Sequence, residues 1–420
     1  MDIDQPQYAN YLPDELVLEI LNYIPRDGRH QPVLANFCAV NRQWYDVGIA
    51  TLYENPHLCG HRYALFVRTI CPSILPRIKK SQLAGLVKVL NLSTIVHQGS
   101  KSTTARLLGR TKPSLEVFIA PQASFAINCW ASLSKCTRLR TLDLSLVSEA
   151  ISYQSLSHTL KQLSDLQRLY LPRCSTRYDV NIYENRLVWP PRLEHLALSG
   201  SVSGKFLWEM TKQPDTFPPT LSSMSILHCP SLDYNGIKPL LENLSDTLTT
   251  VTLRDLPSVK QGRFNQILDW LPHLTDLTIA ADYIDCEFGM RPQSFSPLHW
   301  QHAKPLERLT LLNSGNNDVD PEIAFSIPDI YDLIDCRFLG RLRRLTIAKS
   351  LGWESQGEGA ELEALIELLV DELDCENWEK RRWHYANIGP VKEKMKYRQW
   401  IKTTSIGRRM RAKLVILDRR

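Results

Sequence analysis

The side chains with the strongest claim to chemistry are two histidines, ten cysteines and a few arginines. His299 and His302 form HxxH around Trp300, but no carboxylate or cysteine pair suited to zinc lies nearby. A surface pair is the expected reading, and no metal site is assigned. None of the cysteines forms CxxC, which removes the common redox and zinc-ribbon spacings. HExxH, GxSxG, GxGxxG and the P-loop pattern are absent as well. No catalytic residue and no cofactor are expected. What remains is recognition. Arg168 with Tyr170, and Arg308 with Arg344, are residue types enriched at protein interfaces. Arginine also pairs bidentately with carboxylate or phosphate. An acidic or phosphorylated protein segment is the expected ligand, with plain solvated positions as the alternative.

These residues need elements that hold them, and a repeating pattern supplies them. From residue 87 onward, apolar-x-x-apolar-x-apolar keeps returning. Its copies start at Val87, Leu115, Leu139, Leu166, Leu193, Leu221, Leu248, Leu274, Leu306 and Leu342, and most are 24–28 residues apart. The fourth and sixth residues of a copy, such as Leu142 and Leu144, alternate on a strand and point to one face. One strand cannot bury that face alone; stacked copies build a parallel sheet with a continuous core. The residues between copies read as return helices at 156–166, 237–244 and 264–271. The third and fifth residues of each copy point outward. They include Arg168, Tyr170, His195, Arg308 and Arg344, the candidate substrate-binding set. Cys174 and Cys229 each follow the sixth residue of a copy by three, and an inward structural role is expected for both. The insert Asn313–Asp320 lengthens the ninth repeat.

Ahead of the repeats, residues 11–24 read as a short helix. Pro13 suits its first turn and Asp14 and Glu15 suit its positive end. Leu16, Ile20 and Ile24 form one apolar stripe, and Val17, Leu21 and Ile24 a second. Pro25 and Asp27-Gly28 end the helix. Helical spacing resumes with Val33, Phe37, Val40 and Trp44 and runs to Tyr53. Two or three helices in about 45 residues cannot bury a self-sufficient core, so a partner is expected to cover the second face.

LPDELVLEIL, AVNRQWYDVG and LYENPHL resemble an F-box in the form common in fungal proteins. The repeats resemble leucine-rich repeats. Together they resemble the F-box/leucine-rich-repeat class of substrate receptors in SCF-type, cullin-based ubiquitin ligases. That resemblance implies an α/β chain: an all-α F-box (8–57), linker helices (58–86), an irregular solenoid of about ten repeats (87–350), and a cap helix with a basic tail (351–420). It implies docking on the SCF adaptor subunit, and through it cullin, by Leu12, Pro13, Leu16, Ile20, Leu21, Val40 and Trp44, with an unknown protein substrate on the solenoid. The polar stretch Arg26–Pro32 departs from the family pattern. A receptor needs no chemistry of its own, because it acts by proximity.

Bulk composition agrees with this class. Hydrophobic residues make up 43% and charged residues 23% of the 420, the balance of an ordinary folded protein. The first fifteen residues have no apolar core, so no signal peptide is expected, and no apolar run is long enough to span a membrane. Scattered cysteines without a signal sequence point to reduced thiols in cytoplasm or nucleus. The net charge is +5, yet residues 381–420 hold 13 Lys/Arg and two acids. Trp378, Trp383, Tyr385, Tyr397 and Trp400 are interleaved with the basic residues there, a mixture that can hold nucleic acid. No recognised nucleic-acid motif accompanies it, so nucleic acid is not the expected partner. GRRMRAK (407–413) fits a nuclear import signal. The alternatives to a degradative receptor are a non-degradative F-box scaffold and a nucleic-acid-associated repeat protein acting through this tail.

Overall fold

The computed structural model describes residues 12–72, 81–95, 101–123, 125, 127–147, 153–173, 188–202, 207, 217–289, 303–315, 319–353, 359–376, 399, 402 and 411–418. Cys174, His299, Trp300, His302 and most of the basic aromatic tail lie outside them. Two compact units divide the chain, Met1–Leu193 and Glu194–Arg420.

The first unit opens with four helices: α1 (Asp14–Asn22), α2 (Gln31–Cys38), α3 (Arg42–Glu54) and α4 (His61–Ile70). A 3-10 turn, Gln82–Leu86, leads into the first strand. Strands β1 (Val89–Asn91), β2 (Val117–Ile119), β3 (Thr141–Asp143) and β4 (Arg168–Tyr170) alternate with helices α5 (Lys101–Thr111), α6 (Ile127–Leu133) and α7 (Tyr153–Leu160). All four strands are parallel, and Leu90, Phe118, Leu142 and Leu169 stand in one register row. Each of these four side chains is fully buried. The outer helices close the far side of that layer, with Leu107, Leu133, Leu156 and Leu160 buried.

The second unit repeats the scheme with longer strands: β5 (His195–Ser199), β6 (Ser223–Leu227), β7 (Thr250–Arg254), β8 (Asp276–Ala280), β9 (Arg308–Leu312) and β10 (Arg344–Ala348). Helices α8 (Tyr234–Asn243), α9 (Ile267–Trp270) and α10 (Ile327–Asp335) return the chain. Leu196, Met224, Val251, Leu277, Leu309 and Leu345 form the inner row, in register and fully buried. Every copy of the repeat read from the sequence thus begins a strand at its third residue, in both units.

The exits of three neighbouring strands share a device. Gly200, His228 and Asp255 all have positive φ (75°, 53° and 53°). Gly200 donates its N–H to the His228 carbonyl, and His228 to that of Arg254, both at 3.0 Å. A left-handed residue turns each strand out of the sheet, and at Gly200 and His228 its N–H is kept satisfied by the next repeat. His228 and Asp255 hold this conformation without being glycine, and their side chains pair at 2.9 Å.

Beyond the expected cap helix the structure adds a strand. Residues 359–367 form α11, which continues into a π-helical turn, Leu368–Leu373, burying Leu365, Leu368, Leu369 and Leu373. Lys413–Leu417 then forms β11, parallel to β10 along five register pairs from Arg344↔Lys413 to Ala348↔Leu417. The sequence reading assigned these residues to a basic tail. Position one of this copy is Arg411, where all earlier copies carry Leu or Val, so the pattern was hidden. Ala412 N–H donates to the buried Asp374 carboxylate at 3.1 Å, which ties the start of β11 to the end of the preceding helix.

Five of the described cysteines, Cys38, Cys71, Cys129, Cys136 and Cys229, are buried and fill space. Cys229 is fully buried, and its Sγ donates to the Leu227 carbonyl at 3.4 Å. Burial pushes the thiols of Cys136 and Cys229 up to about 12, which removes thiolate chemistry at neutral pH.

Two outcomes follow. Native protein at pH 8 should leave Cys136 and Cys229 unlabelled by a thiol reagent, while denaturant exposes both. In the linked sense, these thiols favour the fold fully below about pH 9 and lose that effect as pH rises toward 12, because the unfolded chain deprotonates first. Secondly, a chain ending at residue 410 loses β11 and bares the edge of β10. Its melting temperature should fall by several degrees; an unchanged melt would mean that β11 adds nothing to the second unit.

Candidate functional site

The head is built on a small core. Val17 and Leu21 from α1 meet Leu34, Phe37 and Cys38 from α2, with Leu12, Ile24, Trp44, Tyr45, Val47 and Leu52 packed around them. Phe37 and Trp44 pack ring to ring, centroids 4.6 Å apart. The helical spacing from Val33 to Tyr53 is interrupted at Asn41, so the head has three helices, within the expected two or three. The Asn41 side chain caps α3 by accepting the Trp44 N–H at 3.0 Å. Gly48 lets α2 and α3 close together: a Cβ there would sit 2.7 Å from the Phe37 ring and 2.9 Å from Cys38 Sγ.

Polar ties fix the ends of this unit. Gln43 Nε2 donates to the Leu12 carbonyl at 2.5 Å and to Asp14 Oδ1 at 2.6 Å, pinning the start of α1 onto α3. The Arg26–Pro32 stretch is an ordered turn. Asp27 Oδ1 accepts the backbone N–H groups of Arg29 and His30, and Gln31 Oε1 accepts the His57 N–H at 2.6 Å. The His30 contacts hold the Asp27 carboxyl below its usual range. Gly28 sits where a Cβ would meet the His57 ring at 2.6 Å. The extra polar residues between α1 and α2 therefore anchor the head to the chain that follows it.

That chain leads directly into the repeats. Lys88 N–H donates to the Glu54 carbonyl at 3.0 Å, and its ammonium meets Glu54 Oε1 at 2.8 Å. Thr94 Oγ1 donates to the Leu58 carbonyl at 2.5 Å. Tyr53 stacks on Phe66 of α4. The head and the first strands fall within one compact unit.

With the core filled, a set of large apolar side chains is left outside it. Leu16 is 51% exposed, Ile20 39% and Val40 57%, three of the residues named for adaptor docking. Pro13 is exposed beside them in sequence. The rest of that set lies elsewhere: Leu21 is 3% exposed and belongs to the head's own core, while Leu12 and Trp44 are half-buried against it. Leu21 lies on the stripe with Val17, and a helix this short must turn one stripe inward. Leu18, Tyr23 and Val33 are exposed too, Tyr23 at 79%. Leu18 is signalled as an apolar residue off the Val17–Leu21 stripe, whereas Val33 shares its helical spacing with buried Phe37, so spacing alone does not mark it.

The outward strand positions form a second surface in each unit. Arg168 is exposed and Tyr170 half-buried, two residues apart on the same face of β4. In the second unit, His195 Nδ1 lies 2.8 Å from Ser223 Oγ on the next strand. Arg308 and Arg344 stand side by side in register, both exposed. Arg308 Nε donates to Asp276 Oδ2 at 2.5 Å. Beside this row, Thr252, Thr278, Thr310 and Thr346 form a ladder in register. The ends of the Asn313–Asp320 insert are tied down: Asn313 Nδ2 donates to the Ser350 carbonyl, and Gln261 exchanges two hydrogen bonds with the Asp320 backbone. Among the described residues no His, Cys, Asp and Glu cluster suits a metal ion.

No family model matches the chain. It is 29% identical over 341 residues to F-box protein YDR306C of Saccharomyces cerevisiae, covering 80% of this chain and 67% of that one. It is 27% identical over 333 residues to Protein pof5 of Schizosaccharomyces pombe, covering 79% and 88%. Among solved structures, the Rad7 and Elc1 complex of yeast matches 74% of this chain and 90% of that one at 17% identity and a TM-score of 0.42. The leucine-rich-repeat-containing protein LegL7 of Legionella pneumophila matches 68% and 81% at 15% identity and a TM-score of 0.40.

Tight packing at Gly48 gives a direct check of the head. Gly48→Ala should lower stability by about 1–3 kcal/mol in chemical denaturation, because neither Phe37 nor Cys38 has room to retreat. A neutral result would show that the helices are less closely seated than described. The chain thus joins a helical head to stacked parallel strands of leucine-rich-repeat type, and in sequence it is similar to an F-box protein of yeast.

Proposed function

We propose that the chain is the substrate-recognition subunit of an SCF-type, cullin-based ubiquitin ligase, non-catalytic in itself. The exposed apolar face of the head carries this reading. A folded unit that fills its own core and still presents Leu16, Leu18, Ile20, Tyr23, Val33 and Val40 to water has surface suited to another protein. Each such anchor contributes about 1.5–3 kcal/mol when fully buried, before the costs of association, so several acting together support a stable complex. The adaptor subunit fits that role, given the F-box protein among the chain's relatives. Substrate binding falls to the outward strand positions, with Arg168 and Tyr170 in one unit and His195, Arg308 and Arg344 in the other. Binding there brings a substrate lysine near the conjugating enzyme and raises its effective concentration.

Removal of residues 1–57 is a blunt test, because Glu54 pairs with Lys88 and the Gly28 carbonyl accepts from Arg62, both beyond the head. Point charges are cleaner. Leu16→Glu, Ile20→Glu and Val40→Glu replace exposed side chains, so the fold should survive. The triple variant should lose capture of adaptor and cullin from cell extract by at least ten-fold while its circular dichroism is unchanged. Full capture by the folded triple variant would refute the assignment.

A further inference from the structure

The helical side of the first unit holds a cationic cleft between α5 and α6. Arg106 and Arg110 of α5, Lys112 just past it and Lys135 just past α6 line it, with Gly109 and Ser132 among them. Its volume is about 340 Å³, within the range of small-molecule sites. The surrounding chain is one-sided in charge: residues 101–140 hold seven Lys/Arg and one acid, Glu116.

Part of this has a local reason. Lys112 and Lys135 follow the C-terminal ends of their helices, where the helix dipole favours cations. Two features of α5 lack such a reason. Arg106 and Arg110 stand one turn apart on the same face, and like charges at that spacing repel. Gly109 lies in the same turn, where glycine is less favourable than alanine. Packing within the chain does not call for it, since a Cβ there would meet Ser132 Oγ at 3.7 Å, an ordinary contact. The missing side chain keeps the cleft open. Arg106 is also poorly satisfied. Its Nε is buried without a hydrogen-bond partner among the described residues, and its Nη2 reaches Thr103 Oγ1 at 3.3 Å. Among the described residues no carboxylate pairs with Arg106, Lys112 or Lys135.

We infer that this cleft binds a small organic polycarboxylate, a di- or tricarboxylic acid. Cations spread over two helices suit separate carboxylates, each planar and matched to the edge of a guanidinium. A phosphoryl group fits less well. Phosphate sites draw on backbone N–H groups at helix N-termini. Here both helices reach the cleft through their C-terminal turns, whose carbonyls oppose a compact double charge. A bound polycarboxylate gives the Arg106 guanidinium acceptors that the chain does not supply. It also offsets the repulsion between Arg106 and Arg110 and uses the space over Gly109. The site lies on the helical side, away from the outward strand positions, and does not depend on the receptor reading.

The test is calorimetric titration of the full chain at fixed ionic strength with citrate, acetate and inorganic phosphate as probes. Citrate should bind saturably at one site, with acetate and phosphate each at least ten-fold weaker. Arg110→Gln and Lys135→Gln should each weaken citrate at least five-fold, and Lys260→Gln in the second unit should not. Gly109→Ala should weaken citrate at least three-fold while its melting temperature holds or rises, a combination that damage to the fold would not give. In the unaltered protein, citrate should also shield Arg106 and Arg110 from phenylglyoxal, read by mass spectrometry; this arm holds even where a variant folds poorly. Absence of saturable citrate binding, or binding indifferent to both Arg110 and Lys135, overturns the site. Phosphate binding as tightly as citrate overturns the polycarboxylate assignment. Citrate binding unchanged in Gly109→Ala overturns the role given to the bare helix face.

Discussion

The structure depends on one constraint: a short strand with apolar side chains on a single face cannot bury them without a copy of itself alongside. Leu90, Phe118, Leu142 and Leu169 in the first unit answer it, as do Leu196 to Leu345 in the second. The repeats therefore stack in sequence order, and each return helix lays its own leucines on the far side. Because the inner positions are committed to this row, the alternate positions are left free of the core's demands. Composition at those positions can vary from threonine to arginine without disturbing the core.

The head obeys the same arithmetic with a different outcome. Three short helices bury one stripe of α1 against α2 and α3, and nothing within the described head covers the other. The closeness of α2 and α3 at Gly48 and the capping of α3 by Asn41 fix which residues stay outside. Glu54 binds this head to Lys88, where the repeats start, and Leu58, just past the head, accepts from Thr94. Rigid mounting of this kind suits a protein whose proposed work is to hold one partner at a set distance from another.

Most of this architecture was legible in the residues. Ten strands fall where the leucine spacing put them, since burial at positions one, four and six is a strong filter on sequence. The return helices and the inward Cys229 followed from the same periodicity. Three things were not legible. Leu21 and Leu16 are the same residue type on one short helix, and only the packing of α2 and α3 decides which faces inward. The turn at Asn41 was masked by apolar spacing that runs unbroken through it. The eleventh strand was hidden because Arg411 replaces the leading leucine, and it lies far from the previous copy in sequence. That same replacement brings Arg411 and Lys413 beside Arg344, so the omission from the strand count was also an omission from the candidate binding surface.

The central claim is that the head's uncovered apolar face is where the ligase adaptor sits. Hydrogen–deuterium exchange of the full chain with and without purified adaptor measures this directly. The account predicts new protection confined to α1, the Ala39–Asn41 turn and the start of α2, with the strand face unchanged. Absence of protection on the head at saturating adaptor, or protection only along the strands, would contradict it.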